Sequence, residues 1–130
     1  MGYTAGAFDL LHHGHLNYLE ACSLRCSCLI VGVDVDELVR SKKGPLRPIQ
    51  PDEVRLAKVL ATPLTTIGFF KDCSAEDILS SLRPHLYFIP DNRELEQQRM
   101  SMIYKLGIEL VRIPYTEGIS TSALINRDRE

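Results

Sequence analysis

The 130-residue sequence has no apolar run approaching the roughly 18 residues of a membrane span, so no membrane association is expected. It has no excess of either charge, with 15 basic residues against 17 acidic ones, which argues against a chain that coats nucleic acid. Any anionic ligand must be held by local positive groups. There is no CxxC pair: Cys22, Cys26, Cys28 and Cys73 lack finger spacing, and no metal site is expected. They read instead as small buried hydrophobes of a reducing compartment. No basic leader precedes the first strand-like segment, so no signal peptide is expected and a cytoplasmic location is the default. What is present, 45% hydrophobic and 25% charged residues, suits one soluble domain over residues 1–130.

Strand and helix patterns alternate along the chain. Gly2-Tyr3-Thr4-Ala5 reads as a first strand and Gly14 to Leu24 as a helix with Leu16, Leu19 and Cys22 on one side. The apolar run Cys28 to Val33 suits a strand buried on both faces of a parallel sheet. Arg40 to Pro48, basic and broken by two prolines and a glycine, reads as a mobile loop. Pro51-Asp52-Glu53 opens a helix through Ala61. Thr65 to Phe70 is a third strand. Ser74, with Asp77 three residues on, caps a helix whose buried stripe is Ala75, Ile78, Leu79 and Leu82. Leu86 to Ile89 is a fourth strand, Glu94 to Leu106 a helix closed by Gly107, and Glu109 to Pro114 a fifth strand. Ser120 begins a last short helix. The pattern predicts an α/β, Rossmann-like doubly wound five-stranded parallel sheet with helices on both faces.

In such sheets ligands bind beyond the carboxyl ends of the strands. The turn Gly6 to His15, the basic loop and the segment Tyr115 to Ser122 all follow strands and share that rim. His12 and His15, three residues apart at a helix start, can face one ligand, and Gly14 lets backbone approach it. The plain alternative is that one histidine only caps the helix. Gly118-Ile119-Ser120-Thr121-Ser122 places a glycine and three hydroxyls at another helix start, a second anion site. Lys42, Lys43, Arg47 and Arg55 add cations, and a closing lysine loop would exclude water.

The run Gly6-Ala7-Phe8-Asp9-Leu10-Leu11-His12-His13-Gly14-His15 resembles the G-x-F-D-x-x-H-x-G-H motif of the cytidylyltransferase-like nucleotidyltransferases. Thr116 to Ser122 is similar to that family's T-E-G-I-S-T-T segment, and Pro51 to Arg55 to its helix arginine segment. Length and the TEGIS run resemble glycerol-3-phosphate cytidylyltransferases. The Lys43-Gly44, Arg47-Pro48, Pro51 and Arg55 pattern is more similar to adenylyltransferases of heptose 1-phosphate.

The resemblance implies transfer of a nucleotidyl group from CTP or ATP to a small phosphorylated alcohol or sugar phosphate, with pyrophosphate released. It implies His12, His15 and Lys42 as catalytic groups. Nucleotide would be bound by Ala7, Phe8, His12, His15, Arg55, Asp91, Thr116, Gly118, Ile119, Ser120, Thr121 and Ser122. Lys42 and Lys71 would bind the acceptor, Mg²⁺ would be carried on the phosphates, and the chain would be a homodimer. Two departures stand out. Tyr115 replaces a motif arginine, with Arg112 or Arg93 as candidates to replace it. Ile89-Pro90-Asp91-Asn92-Arg93 stands where a glycine-aspartate segment reads the base. The first reading is an enzyme most like glycerol-3-phosphate cytidylyltransferase; the alternatives are an enzyme of the heptose 1-phosphate adenylyltransferase type and a divergent member that binds nucleotide with little turnover.

Overall fold

The computed structural model describes residues 1–115. The elements run β1 (Gly2–Gly6), α1 (His13–Ser23), β2 (Leu29–Asp34), α2 (Asp36–Lys43), α3 (Asp52–Ala61), β3 (Ile67–Lys71), α4 (Ala75–Leu82), β4 (Leu86–Pro90), α5 (Gln97–Lys105) and β5 (Glu109–Ile113). The five strands form one sheet of order β3-β2-β1-β4-β5, and every pairing is parallel. The order reverses at β1, so a crevice opens at its carboxyl end between β1 and β4. The opening turn lies at that end.

The two-residue period of the strands sends alternate side chains to opposite faces. Leu29, Val31 and Val33 of β2 and Phe88 of β4 join Leu19 of α1 and Val59 of α3 in one core. Ile30 of β2 and Tyr87 and Ile89 of β4 join Leu79 of α4 and Ile103 of α5 in the other. Every residue of β2 is buried, as its unbroken apolar run predicts. Each fully buried aliphatic side chain contributes about 1.5–3 kcal/mol, and both faces are needed to supply it.

The helix ends follow their local chemistry. Ser74 accepts from the Asp77 N–H at 3.2 Å, capping α4. At the end of α5, Gly107 takes φ 70°, its N–H donates to the Tyr104 carbonyl and the Ile108 N–H to the Ile103 carbonyl. That pair of bonds is a Schellman closure.

One helix, α2, was not expected, and two boundaries differ from expectation by more than a residue. Arg40 to Lys43 is helical, not loop: it forms the last turn of α2, and only Gly44, at φ 97°, turns the chain away. Asp36 and Glu37 at the start of α2 and Arg40, Lys42 and Lys43 at its end complement the helix dipole, a signal that the prolines downstream obscured. Lys42 therefore stands on a helix end. Helix α5 starts at Gln97 instead of Glu94. The preceding residues are held at the sheet rim, with the Asp91 N–H donating to the Ile113 carbonyl at 2.9 Å and the Arg93 N–H to the Pro90 carbonyl at 3.1 Å. β3 starts at Ile67, because Thr66 instead exchanges side-chain and backbone bonds with Leu29. The expected helix at Ser120 lies outside the described residues.

Candidate active site

The turn after β1 is strained. Phe8 and Leu10 sit at φ 51° and 52°, a left-handed conformation that costs a non-glycine residue on the order of 1–3 kcal/mol. Several buried contacts hold it there. The Asp9 carboxylate, 1% exposed, accepts from the Ile49 N–H at 2.7 Å and the Gln50 N–H at 3.0 Å, and pairs with Arg47 Nε at 3.5 Å. The Leu10 N–H donates to Gln50 Oε1 at 3.2 Å. From behind, Arg55 Nη1 donates to the Ala7 carbonyl at 2.8 Å.

Both histidines of the turn are used twice. His12 Nδ1 accepts from the Gly14 N–H at 3.0 Å and so caps α1. His15 Nδ1 accepts from the His12 N–H at 3.3 Å. The rings stack at 3.9 Å between centroids, and the edge of Phe8 meets His15 at 5.6 Å. Burial holds the His12 ring below its ordinary pKa, with His13 adding to the effect. Burial, then His12 and Lys43, push His15 down to about 3. Both rings are neutral at pH 7. With Nδ1 accepting in each, the hydrogen-bond network assigns the proton to Nε2. The helix start thus presents two uncharged N–H donors, and His12 Nε2 is buried with no partner among the described residues. Capping and ligand donation are compatible, because they use opposite sides of one ring.

This has a consequence for pH. The His15 ring stays neutral in the folded protein down to about pH 3, whereas in the unfolded chain it takes a proton near 6.5. Between those values the unfolded state binds more protons, so stability is full above pH 6.5 and falls as pH drops below it. Urea unfolding at pH 7.5 and 5.0 should show a loss approaching about 2 kcal/mol, from the 1.36 kcal/mol carried by each pKa unit. His15→Gln should remove most of it. Stability that is flat or rising on acidification would contradict the neutral pair.

Two cavities adjoin the carboxyl end of β1. The smaller, about 210 Å³, is lined by Phe8, His15, Tyr18, Pro90, Asn92 and Tyr115 among others. The larger, about 580 Å³, falls in the ordinary range for small-molecule sites and is cationic, with Lys42, Lys43, Lys71, Arg93 and Arg99 in its wall. Asp34, at the end of β2, organises it. Its carboxylate pairs with Lys71 Nζ at 3.5 Å and with Lys42 Nζ at 3.7 Å. Lys71 is 4% exposed while the Lys42 side chain is 55% exposed, so one lysine is buried in the wall and the other reaches in from solvent at the helix end. Burial in the wall, and Arg47 nearby, hold the Lys43 ammonium below its usual range. Across the cavity Glu76 pairs with Arg99 at 2.8 Å. That contact holds the Glu76 carboxyl below its usual range.

The expected site residues divide clearly. Ala7, Lys42 and Lys71 line the larger cavity, and Phe8 and His15 the smaller. His12 stacks on His15 and lines neither. Arg55 is 0% exposed and lies beneath the site: besides Ala7 it donates to the carbonyls of Asp34 at 2.7 Å and Gln50 at 3.0 Å, and to Asp36 Oδ1 at 2.7 Å. Asp91 is exposed and in neither cavity, although Pro90 and Asn92 beside it line the smaller one. Thr116, Gly118, Ile119, Ser120, Thr121 and Ser122 lie outside the described residues. Sequence reasoning missed Asp34, Glu76 and Arg99. Only Asp34 carried a signal, an acid ending an otherwise apolar buried strand.

Comparison with known proteins shows the family. Residues 3–127 match the family model described as cytidylyltransferase-like. The chain is 34% identical to the bifunctional protein HldE of Streptomyces coelicolor over 98% of its own length, which is 28% of that protein. It is 42% identical to the bifunctional protein HldE of Acidiphilium cryptum over 65% of the chain and 18% of that protein. The chain thus spans well under a third of the curated relatives it matches. The crystal structure of a lipopolysaccharide core biosynthesis protein from Thermoplasma volcanium superposes with TM-score 0.78 at 25% identity, covering 89% of this chain and 97% of that one. The chain belongs to the cytidylyltransferase-like family of nucleotidyltransferases.

Proposed function

We propose that this chain joins a nucleotide to a small sugar phosphate: an acceptor phosphate oxygen attacks the α-phosphorus of ATP or CTP. One P–O bond forms to the acceptor, the bond between α-phosphorus and bridging oxygen breaks, and pyrophosphate leaves. The observation that carries the reading is the pairing of two adjoining cavities at one strand end, one bearing His15 and the other two lysines on a shared carboxylate. The smaller cavity and the helix start at His12 would take the nucleotide, and the lysine cavity the acceptor.

No covalent enzyme intermediate is needed, so the residues act by position and charge. The neutral Nε2–H groups of His12 and His15 suit donation to phosphate oxygens as negative charge builds. His15, neutral down to about pH 3, keeps its Nε2 proton throughout, so the rate should not depend on its ionisation near neutral pH. Lys71 fixes the acceptor phosphate and Lys42 closes on it from the end of α2. Among the described residues no group of three or more His, Cys, Asp or Glu converges to hold an ion. The donors and cations present instead fit a phosphate chain that brings its own Mg²⁺, which would supply further charge neutralisation.

A sugar phosphate is favoured over glycerol 3-phosphate by the similarity to HldE proteins and to a lipopolysaccharide core biosynthesis protein. The resemblance to heptose 1-phosphate adenylyltransferases points the same way and favours ATP. A homodimer in the cytoplasm belongs to this reading, and no helix among the described residues is long and apolar enough to cross a membrane.

Pyrophosphate release from ATP or CTP, tested against glycerol 3-phosphate and a panel of sugar 1-phosphates, tests the reading. Measurable nucleotide binding with no turnover on any pair would leave a binding protein instead of an enzyme. Lys42→Met should raise the acceptor KM about tenfold, the equivalent of about 1.4 kcal/mol, with nucleotide affinity little changed. Because the side chain is largely exposed, the fold should be unaffected.

A further inference from the structure

We infer that Arg93 is the residue that spans both substrates and carries the transferred phosphoryl group; this rests on one cavity taking nucleotide and the other the acceptor. If they do, the reacting phosphorus must lie where the cavities meet. Among the described residues three line both: Ala5, Gly6 and Arg93. The first two have no polar side chain. Among the described residues the charged group common to both walls is therefore the Arg93 guanidinium. Lys42, Lys43, Lys71 and Arg99 line only the larger cavity, and His15 only the smaller.

The backbone beneath this side chain is anchored from two directions. Its N–H closes a turn onto the Pro90 carbonyl at 3.1 Å, and its carbonyl accepts from Arg112 Nη1 on β5. Arg112 is thereby committed to holding the loop and lines neither cavity. The Arg93 side chain is exposed and makes no ion pair among the described residues, so the fold leaves its charge available. Its field reaches Tyr18 on the small-cavity side and Tyr87 and Lys43 on the large-cavity side.

The chemistry needs such a group. A phosphate acceptor and a triphosphate donor repel each other, and the planar guanidinium fork can bind oxygens of both at once. The same fork stabilises charge on the α-phosphoryl oxygens as the acceptor bond forms and pyrophosphate departs. Tyr115, facing the small cavity only, cannot do this, and its hydroxyl is kept protonated by burial.

The test compares wild type, Arg93→Ala and Arg93→Lys in three measurements: calorimetric titration with ATP, calorimetric titration with inorganic phosphate, and pyrophosphate release. Arg93→Ala should weaken both ligands several-fold and lower kcat by about 10². Arg93→Lys should recover affinity better than rate, because a point charge attracts anions but cannot bridge them. A loss confined to one ligand, or to neither, would overturn the bridging role. Thermal melting should be unchanged, since the side chain is exposed. If wild type releases no pyrophosphate the proposed reaction falls, while the two titrations still decide the place of Arg93.

Discussion

Replacing His15 by alanine lowers kcat by about 10² or more and weakens ground-state nucleotide binding far less, on the usual cost of removing one preorganised donor. The reason is electrostatic. A neutral N–H donor gains little from the diffuse charge of a resting triphosphate, which water also solvates well. It gains most where charge concentrates on the oxygens around the reacting phosphorus. The stacked pair, His12 buried and His15 half-buried with both Nδ1 atoms occupied, is already oriented, so no reorganisation is needed at that moment. Steady-state kinetics beside a direct nucleotide titration separates the two effects. Equal losses in rate and affinity would mean that His15 merely builds the turn, through its bond to the His12 N–H.

Arg55→Ala should cost about 3–5 kcal/mol, the penalty for removing one member of a buried charged network. Set against a total stability of about 5–15 kcal/mol, that can unfold the domain. The loss comes from what is left behind. The carbonyls of Ala7, Asp34 and Gln50 lose their donor, and Asp36 loses its partner. Those atoms belong to the opening turn, the end of β2, the entry to α3 and the start of α2. One guanidinium therefore ties together the elements that carry the site. Arg55→Lys should rescue poorly, because a single ammonium cannot reach the same set. Urea midpoints measure this. A stable Arg55→Ala protein with a specific loss of nucleotide affinity would instead support the direct phosphate contact that the motif resemblance implies.

These two residues illustrate what was legible beforehand. The sheet was legible because β2 and β4 carry unbroken apolar runs and the intervening helices carry 3.6-residue stripes. The histidines were legible because a glycine-flanked turn at a helix start has few other uses for two imidazoles. The double duty of His12 was not, since capping and ligand donation depend on which ring nitrogen faces where. Arg55 looks the same in sequence whether it points into the site or under it. Burial decides, and burial depends on how α3 lies over the turn. Lys42 reads as loop because Gly44, Pro45 and Pro48 dominate the local pattern, while the charge gradient from Asp36 to Lys43, the one sign of helix α2, is weaker. Asp34, Glu76 and Arg99 come from three separate elements, and no local spacing signals their convergence on one cavity.

The central claim is that the α-phosphoryl group of a nucleotide moves to a phosphate acceptor. The most direct measurement follows the label from ATP or CTP carrying ³²P at either the α or the γ position, with a sugar 1-phosphate acceptor. The α-label should enter the sugar product, and the γ-label should leave entirely in pyrophosphate. Label from the γ position on the acceptor, or bound nucleotide with no transfer from either position, would contradict it.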